Sequence, residues 1–337
     1  MDRTDTRFLL HTAAMTTFSD LNDLPGVPIA MNCAGGTISM RTSGQGAPML
    51  LIHSINAAPS TAEVAPLHRH YQHHRTVFSL DLPGFGASDR NDRDYTPRVM
   101  VDAIHVAVAE IQRRCGAVPI DALALSLSSE FLARAAVEQP SDYRSLAFVS
   151  PTGFNGTRPR RGPVESTLAL PWLLRMLRGP GWGRILFKGL TRPGVIRFFL
   201  QKTWGSKHID NDLWAHAVRT SRADGAEHAP LHFISGYLFS NDIDNIYDQL
   251  RLPVWMSHGT RGDFTDYRKK SRLLDSGNWC FSVFECGALP HFEVLAQFCI
   301  EYDRFLNDSE HAPCACGQPQ ATGSPLALST HTPPARP

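Results

Sequence analysis

What this sequence lacks excludes several classes of protein. It has almost no net charge, since 33 Lys and Arg face 32 Asp and Glu. That balance asks for neither a nucleic acid nor an acidic partner. It has no long apolar run, and a membrane-crossing helix needs about 20 such residues. The opening stretch MDRTDTRFLLHTAAMTTFSDL is too polar for a secretory leader. Its seven cysteines (Cys33, Cys115, Cys280, Cys286, Cys299, Cys314 and Cys316) are odd in number and scattered. They do not form a disulfide framework, and a reducing, cytoplasmic setting is the simpler expectation. The terminal Cys314–Ala315–Cys316, near His311, has no second ligand cluster and is expected to bind no metal. No internal repeat is visible.

What is present is a series of short apolar runs without alternation. They are PMLLIHS (48–54), TVFSLDLPGFGASD (76–89), IDALAL (120–125), SLAFVS (145–150), LPVWMSHG (252–259) and WCFSVFE (279–285). Such runs read as strands buried on both faces. Helical periodicity lies between them. Pro97 to Cys115 carries Val101, Ile104, Val108 and Ile111 on one stripe, with Pro at its start. Residues 130–138 and 292–306 read the same way. Strand and helix in alternation imply a mostly parallel, doubly wound sheet with helices on both faces, an α/β class.

About a hundred residues separate AFVSP from LPVWMSHG, and they read as a helical cap inserted between late strands. The expected divisions are an N-terminal arm (1–28), a first core part (29–150), the cap (151–250), a second core part (251–307) and a disordered tail (308–337) rich in Pro, Ser, Thr and Gly.

Reacting groups in an open parallel sheet gather at the carboxyl ends of its strands. Here those ends lead to His53–Asn56, Ser126, Asp263 and His291. A serine, an acid and a histidine follow in the chain order of the elbow-type hydrolases. The chain resembles the α/β-hydrolase fold over roughly residues 37–307. DLPGFGASD is similar to a common turn of that family. LLIHS resembles its strand ending in His-Gly, ALSLSSEFLARAA its nucleophile elbow, and GALPHFE its histidine loop.

The elbow needs small residues two before and two after the serine. Around Ser126 these are Ala124 and Ser128; around Ser128 they are Ser126 and Glu130; around Ser129 they are Leu127 and Phe131. Ser126 is therefore the candidate nucleophile, with a helix N-cap as its alternative role. The resemblance implies oxyanion donors at the backbone N–H groups of Leu127 and Ile55, with Ser54 where the family usually has Gly. It implies Asp263 as the acid, with Asp266 as substitute and an Arg261–Asp263 surface pair as the plain alternative. His53 is expected to brace its loop. No metal or organic cofactor is implied.

The histidine departs from the family pattern, in which the base directly follows Gly. Here Gly287 is followed by Ala288, and His291 comes three residues later. Three residues span up to about 10 Å of extended chain, far beyond hydrogen-bond reach. His291 can be the base only if the loop is folded differently.

Two features bear on partners. Trp172, Met176, Phe198 and Phe199 are expected to line an apolar pocket, or else to fasten the cap to the core. From Arg158 to Lys207 there are eleven Lys/Arg and one acid, Glu165. That excess suits an anionic substrate group or an anionic membrane surface, or is simply a solvated face. No nucleic-acid motif accompanies it.

The expected function is serine-dependent hydrolysis of a small or medium apolar ester, lactone or thioester through an acyl-enzyme. The alternatives are an acyltransferase on the same scaffold and a non-catalytic ligand-binding or interaction protein. Ala288 is the sequence support for the last.

Overall fold

The computed structural model describes residues 24–34, 36–179 and 181–311. Eight strands form one sheet: β1 (Val27–Cys33), β2 (Gly36–Ser43), β3 (Pro48–Ile52), β4 (Thr76–Asp81), β5 (Ile120–Leu125), β6 (Tyr143–Val149), β7 (Val254–Gly259) and β8 (Trp279–Phe284). Their order is β1-β2-β4-β3-β5-β6-β7-β8. The β1–β2 and β2–β4 pairs are antiparallel; β3 to β8 run parallel. β3, β5 and β7 are buried at every position, as their unbroken apolar runs require. Alternate side chains feed two cores. Leu50 and Ile52 face one, Met49 and Leu51 the other.

Three helices cover the first face: α2 (Pro97–Cys115), α3 (Ser128–Glu138) and α9 (Ile243–Gln249). α1 (Ala65–Tyr71) and α11 (Leu295–His311) cover the second. α2 has the bounds its periodicity predicts. The Thr96 hydroxyl caps its start by accepting from Val99 N, and Gly116 ends it at φ 90°. α11 runs through residue 311, so residues 308–311 are helical rather than part of a tail. β1 was illegible, because only Ile29 and Met31 alternate inward along it. Residues 1–23 of the expected arm and 312–337 of the expected tail, with Cys314 and Cys316, lie outside the described residues.

Between β6 and β7 lie six helices: α4 (Pro171–Leu177), α5 (Trp182–Leu190), α6 (Pro193–Trp204), α7 (Asn211–Thr220), α8 (His228–Ile234) and α9. They form the insert. The short α10 (Pro290–Glu293) precedes α11.

The DLPGFGASD turn is built around one carboxylate. Asp81 accepts from Thr61 N at 2.7 Å and Ala87 N at 3.0 Å. Gly86 has φ 54°, and a Cβ there would run into the Asp81 carboxylate. Glycine is therefore required both by conformation and by space.

Cys33, Cys115, Cys286 and Cys299 are free thiols and Cys280 is disulfide-bonded. No described helix is long and apolar enough to cross a membrane.

At the amino end of β5, away from the serine, Asp121 is fully buried. It accepts from Arg75 Nη1 at 2.6 Å, Arg144 Nε at 2.9 Å and Ser145 Oγ at 2.6 Å. Removing the carboxylate leaves the Arg75 and Arg144 guanidinium groups with only the more exposed Glu310, 3.7 and 3.0 Å away, as a partner. Asp121→Ala is expected to lower unfolding free energy by about 3 kcal/mol, read as a shifted urea midpoint with unchanged slope.

Candidate functional site

Ser126 follows the last residue of β5 and has φ 51°, the left-handed region that a non-glycine residue enters only under constraint. Its N–H donates to Val149 O at 2.9 Å, and its carbonyl accepts from Ser129 N at 3.2 Å. This is a strand-to-helix elbow. The three serines differ in what their hydroxyls do. Ser128 Oγ donates to His53 O at 2.6 Å, and Ser129 Oγ to Ala124 O at 3.2 Å. Both are fully buried. Ser126 is part-exposed and lines a cavity. It is not an N-cap: Leu127 holds that position in α3, with no side-chain cap.

The cavity has a volume of about 1180 Å³. Its walls come from the strand ends and from the insert, with Leu168, Phe239 and Phe264 as apolar lining and Arg158, Arg160, Arg161 and Lys269 as cations. Arg160 also anchors the insert. It reaches the fully buried Glu130 at 2.9 Å and donates from Nε to Ser240 O at 3.0 Å. Burial pushes the Glu130 carboxyl up, against the pull of Arg160 and Thr152.

The loop after β3 is held from below. Ser54 N donates to Glu63 Oε2 at 2.8 Å, and Asn56 Nδ2 to Glu63 Oε1 at 2.7 Å. His53 Nε2 accepts from Leu82 N at 3.0 Å, so its other nitrogen carries the proton and donates to Ser54 O. His53 is thus a brace. The N–H groups of Ile55 and Leu127 donate to no other described residue.

The residues expected to complete a triad are not joined to Ser126. His291 is fully buried and donates from Nε2 to Glu63 O at 2.8 Å. Its Nδ1 has no partner among the described residues. The ring lies against Phe292 and Phe298. Burial lowers its pKa to about 4, although the bond to Glu63 opposes this. The loop before it is not remodelled toward Ser126. Ala288 N donates to Thr203 O at 2.9 Å, Ala288 O accepts from Ser150 Oγ at 2.7 Å, and Gly287 N donates to Glu293 Oε1 at 2.6 Å.

Asp263 lines the cavity but is exposed, 3.6 Å from Lys202 Nζ. It has no hydrogen bond to His291. Arg261 pairs with Glu293, not with Asp263. Asp266 also lines the cavity; it accepts from Gly156 N at 2.8 Å and from Arg268 Nε at 2.8 Å, bonds that hold its carboxyl below the usual range.

The expected pocket residues lie elsewhere. Trp172, Met176, Phe198 and Phe199 are exposed and line no part of this cavity. The reason is packing: α4 turns Leu174 and Leu177 onto Leu231 of α8, and α6 buries Ile196 and Trp204. Two residues at the site escaped sequence reasoning. Ser150, at φ 49°, directly follows β6 beside Ser126 and lines the same cavity, and the buried Tyr267 lies next to it. The only signal was a serine directly after a buried run. Among the described residues, no cluster of His, Cys, Asp or Glu could hold a metal ion.

Known proteins of the same shape are varied in chemistry. A serine hydrolase involved in carbazole degradation (the CarC enzyme) matches with a TM-score of 0.65 and 14% identity, covering 83% of this chain and 98% of that one. A thermophilic esterase from Thermogutta terrifontis matches with a TM-score of 0.63 and 14% identity, covering 84% and 99%. The Cif epoxide hydrolase from Acinetobacter nosocomialis matches with a TM-score of 0.61 and 17% identity, covering 83% and 88%. Likeness at such identities speaks for the fold alone. No curated protein is similar enough in sequence to count as a relative. The model of the Alpha/beta hydrolase family matches residues 49–298, most of the chain, and the protein belongs to that family.

Proposed function

We propose that this hydrolase-fold protein binds a carbonyl or carboxylate compound at Ser126 and does not turn it over by ordinary triad hydrolysis. The observation that carries this reading is the state of the base: Ala288 follows Gly287, and His291 is bonded to Glu63 O. A serine without a positioned base is a weak nucleophile at neutral pH. Ser126, with the Leu127 and Ile55 N–H groups, is the natural receiver of a ligand oxygen. Preorganised donors of that kind favour an oxyanion even where no base is present. Leu168, Phe239 and Phe264 suit an apolar body. Arg158, with Arg160 and Lys269 partly engaged by Glu130 and Asp244, suits an anionic end.

One observation favours a second reading, the serine hydrolase expected from the sequence. Ser126 keeps a left-handed conformation that costs about 1–2 kcal/mol, and elbows of that kind present nucleophiles. Fluorophosphonate labelling followed by intact mass separates the two. Slow labelling, changed less than about twofold by His291→Gln, is expected, since a general base normally contributes at least a hundredfold. In the same samples, medium-chain carboxylates should raise the melting temperature of the wild type and not of Ser126→Ala. Rapid single labelling at Ser126, slowed about a hundredfold by His291→Gln, establishes the hydrolase instead.

The same assignment makes His291 a structural group, with a consequence for stability. Its pKa falls from 6.5 to about 4 on folding, so between those pH values the unfolded chain binds a proton that the folded chain does not. Stability is unaffected above pH 6.5 and is lost as pH falls through that window. His68, also lowered to about 4, acts in the same direction. The His291 share is on the order of 2–3 kcal/mol. Urea unfolding should therefore weaken with acidification less steeply in His291→Gln than in the wild type.

A further inference from the structure

The insert turns apolar side chains outward on three successive helices. On α4, Trp172 and Met176 stand one turn apart and are 63% and 55% exposed, while Leu174 and Leu177 face inward. On α5 the buried side is only Gly183 and Phe187; Trp182 and Ile185 are 72% and 66% exposed, with Leu186 beside them. On α6, Phe198 and Phe199 are half exposed, their ring centroids 5.6 Å apart. α5 packs against both α4 and α6, so the three contributions adjoin. Monomeric soluble proteins rarely leave so much contiguous apolar surface uncovered.

The charged side chains carried by these three helices have one sign. Between Ser166 and Lys207 there are eight Lys/Arg and no Asp or Glu. Arg178, Arg184 and Lys202 reach acids outside that stretch, namely Asp92 and Asp94, Glu227, and Asp263. Arg175, Lys188 and Arg192 are exposed, and among the described residues none is within 4 Å of a carboxylate. Apolar and aromatic side chains flanked by uncompensated cations fit the boundary between lipid headgroups and acyl chains. Arg and Lys can extend their heads to the phosphates while Trp sits at the interface. A second copy meeting this face across a two-fold axis would bring like charges together.

We propose that the outer face of α4–α6 docks the protein onto an anionic phospholipid surface, Trp172 and Trp182 entering the interface and Arg175, Lys188 and Arg192 meeting the headgroups. The proposal is independent of whether Ser126 is reactive.

The test is flotation of the full chain with phosphatidylcholine vesicles, with and without phosphatidylglycerol, at low and high salt. Binding is expected only where phosphatidylglycerol is present, and is expected to weaken as salt rises. The double variant Trp172→Ser, Trp182→Ser should weaken it by about tenfold or more. The triple variant Arg175→Glu, Lys188→Glu, Arg192→Glu should abolish the preference for phosphatidylglycerol. All five side chains are exposed, so melting temperatures should stay near that of the wild type. Absence of binding by the folded wild type overturns the proposal, as does binding that neither variant alters. Sedimentation velocity showing a dimer that the tryptophan variant dissociates would overturn it in favour of a second copy.

Discussion

Two loops that define the site meet at Glu63. Its buried carboxylate takes the Ser54 N–H and the Asn56 amide, which fixes the path of the chain after β3. Its main-chain carbonyl takes the Nε2 proton of His291. One residue therefore sets both the loop that presents the Ile55 N–H and the resting place of the only histidine in the loop after β8. The bond by itself favours the protonated ring, but burial outweighs it and keeps the imidazole neutral. Elsewhere at the same end of the sheet, Ser150 holds Ala288 in place, so the chain between Gly287 and His291 has little freedom to swing.

A second set of buried ionic contacts ties the insert to the core. Glu130 on α3 holds Arg160, Arg134 on the same helix holds Asp242, and Lys269 reaches Asp244. Buried pairs of this type contribute little net stability, because desolvation offsets their attraction. They do set geometry, since breaking one leaves a charge with no partner. Here they fix the chain around residue 160 as a wall of the cavity above Ser126. The outer helices α4–α6 are held by apolar contacts such as Leu174 and Leu177 on Leu231 and by more exposed ion pairs such as Arg178 with Asp92 and Asp94. The insert is thus locked by buried charges where it meets the site and presents apolar side chains among cations where it meets solvent.

Much of the fold was legible. Unbroken apolar runs marked β3, β5 and β7, because strands covered on both faces need no polar alternation. The stripe through Val101, Ile104, Val108 and Ile111 marked α2, and the turn at Gly84–Gly86 marked the end of β4. The elbow position of Ser126 was legible because small neighbours at Ala124 and Ser128 distinguish it from Ser128 and Ser129. The four aromatic and Met positions chosen for a pocket were not, because helical periodicity says which residues share a side and not which side faces the core. In α4 and α6, Leu174, Leu177, Ile196 and Trp204 occupy the inner side instead.

The sequence by itself determined the class of sheet, the order of its chemistry-bearing loops and the absence of a histidine directly after Gly287. These are local properties: burial pattern, turn chemistry and spacing. Tertiary structure decided where the His291 ring goes, since a bond to a carbonyl 228 positions away in the chain leaves no local trace. It also decided that Asp263 meets Lys202 rather than a histidine, that Ser150 stands beside Ser126, and that the apolar stripes of α4–α6 face outward. Each of these depends on which distant surface arrives first within a few ångströms, and that is a property of packing.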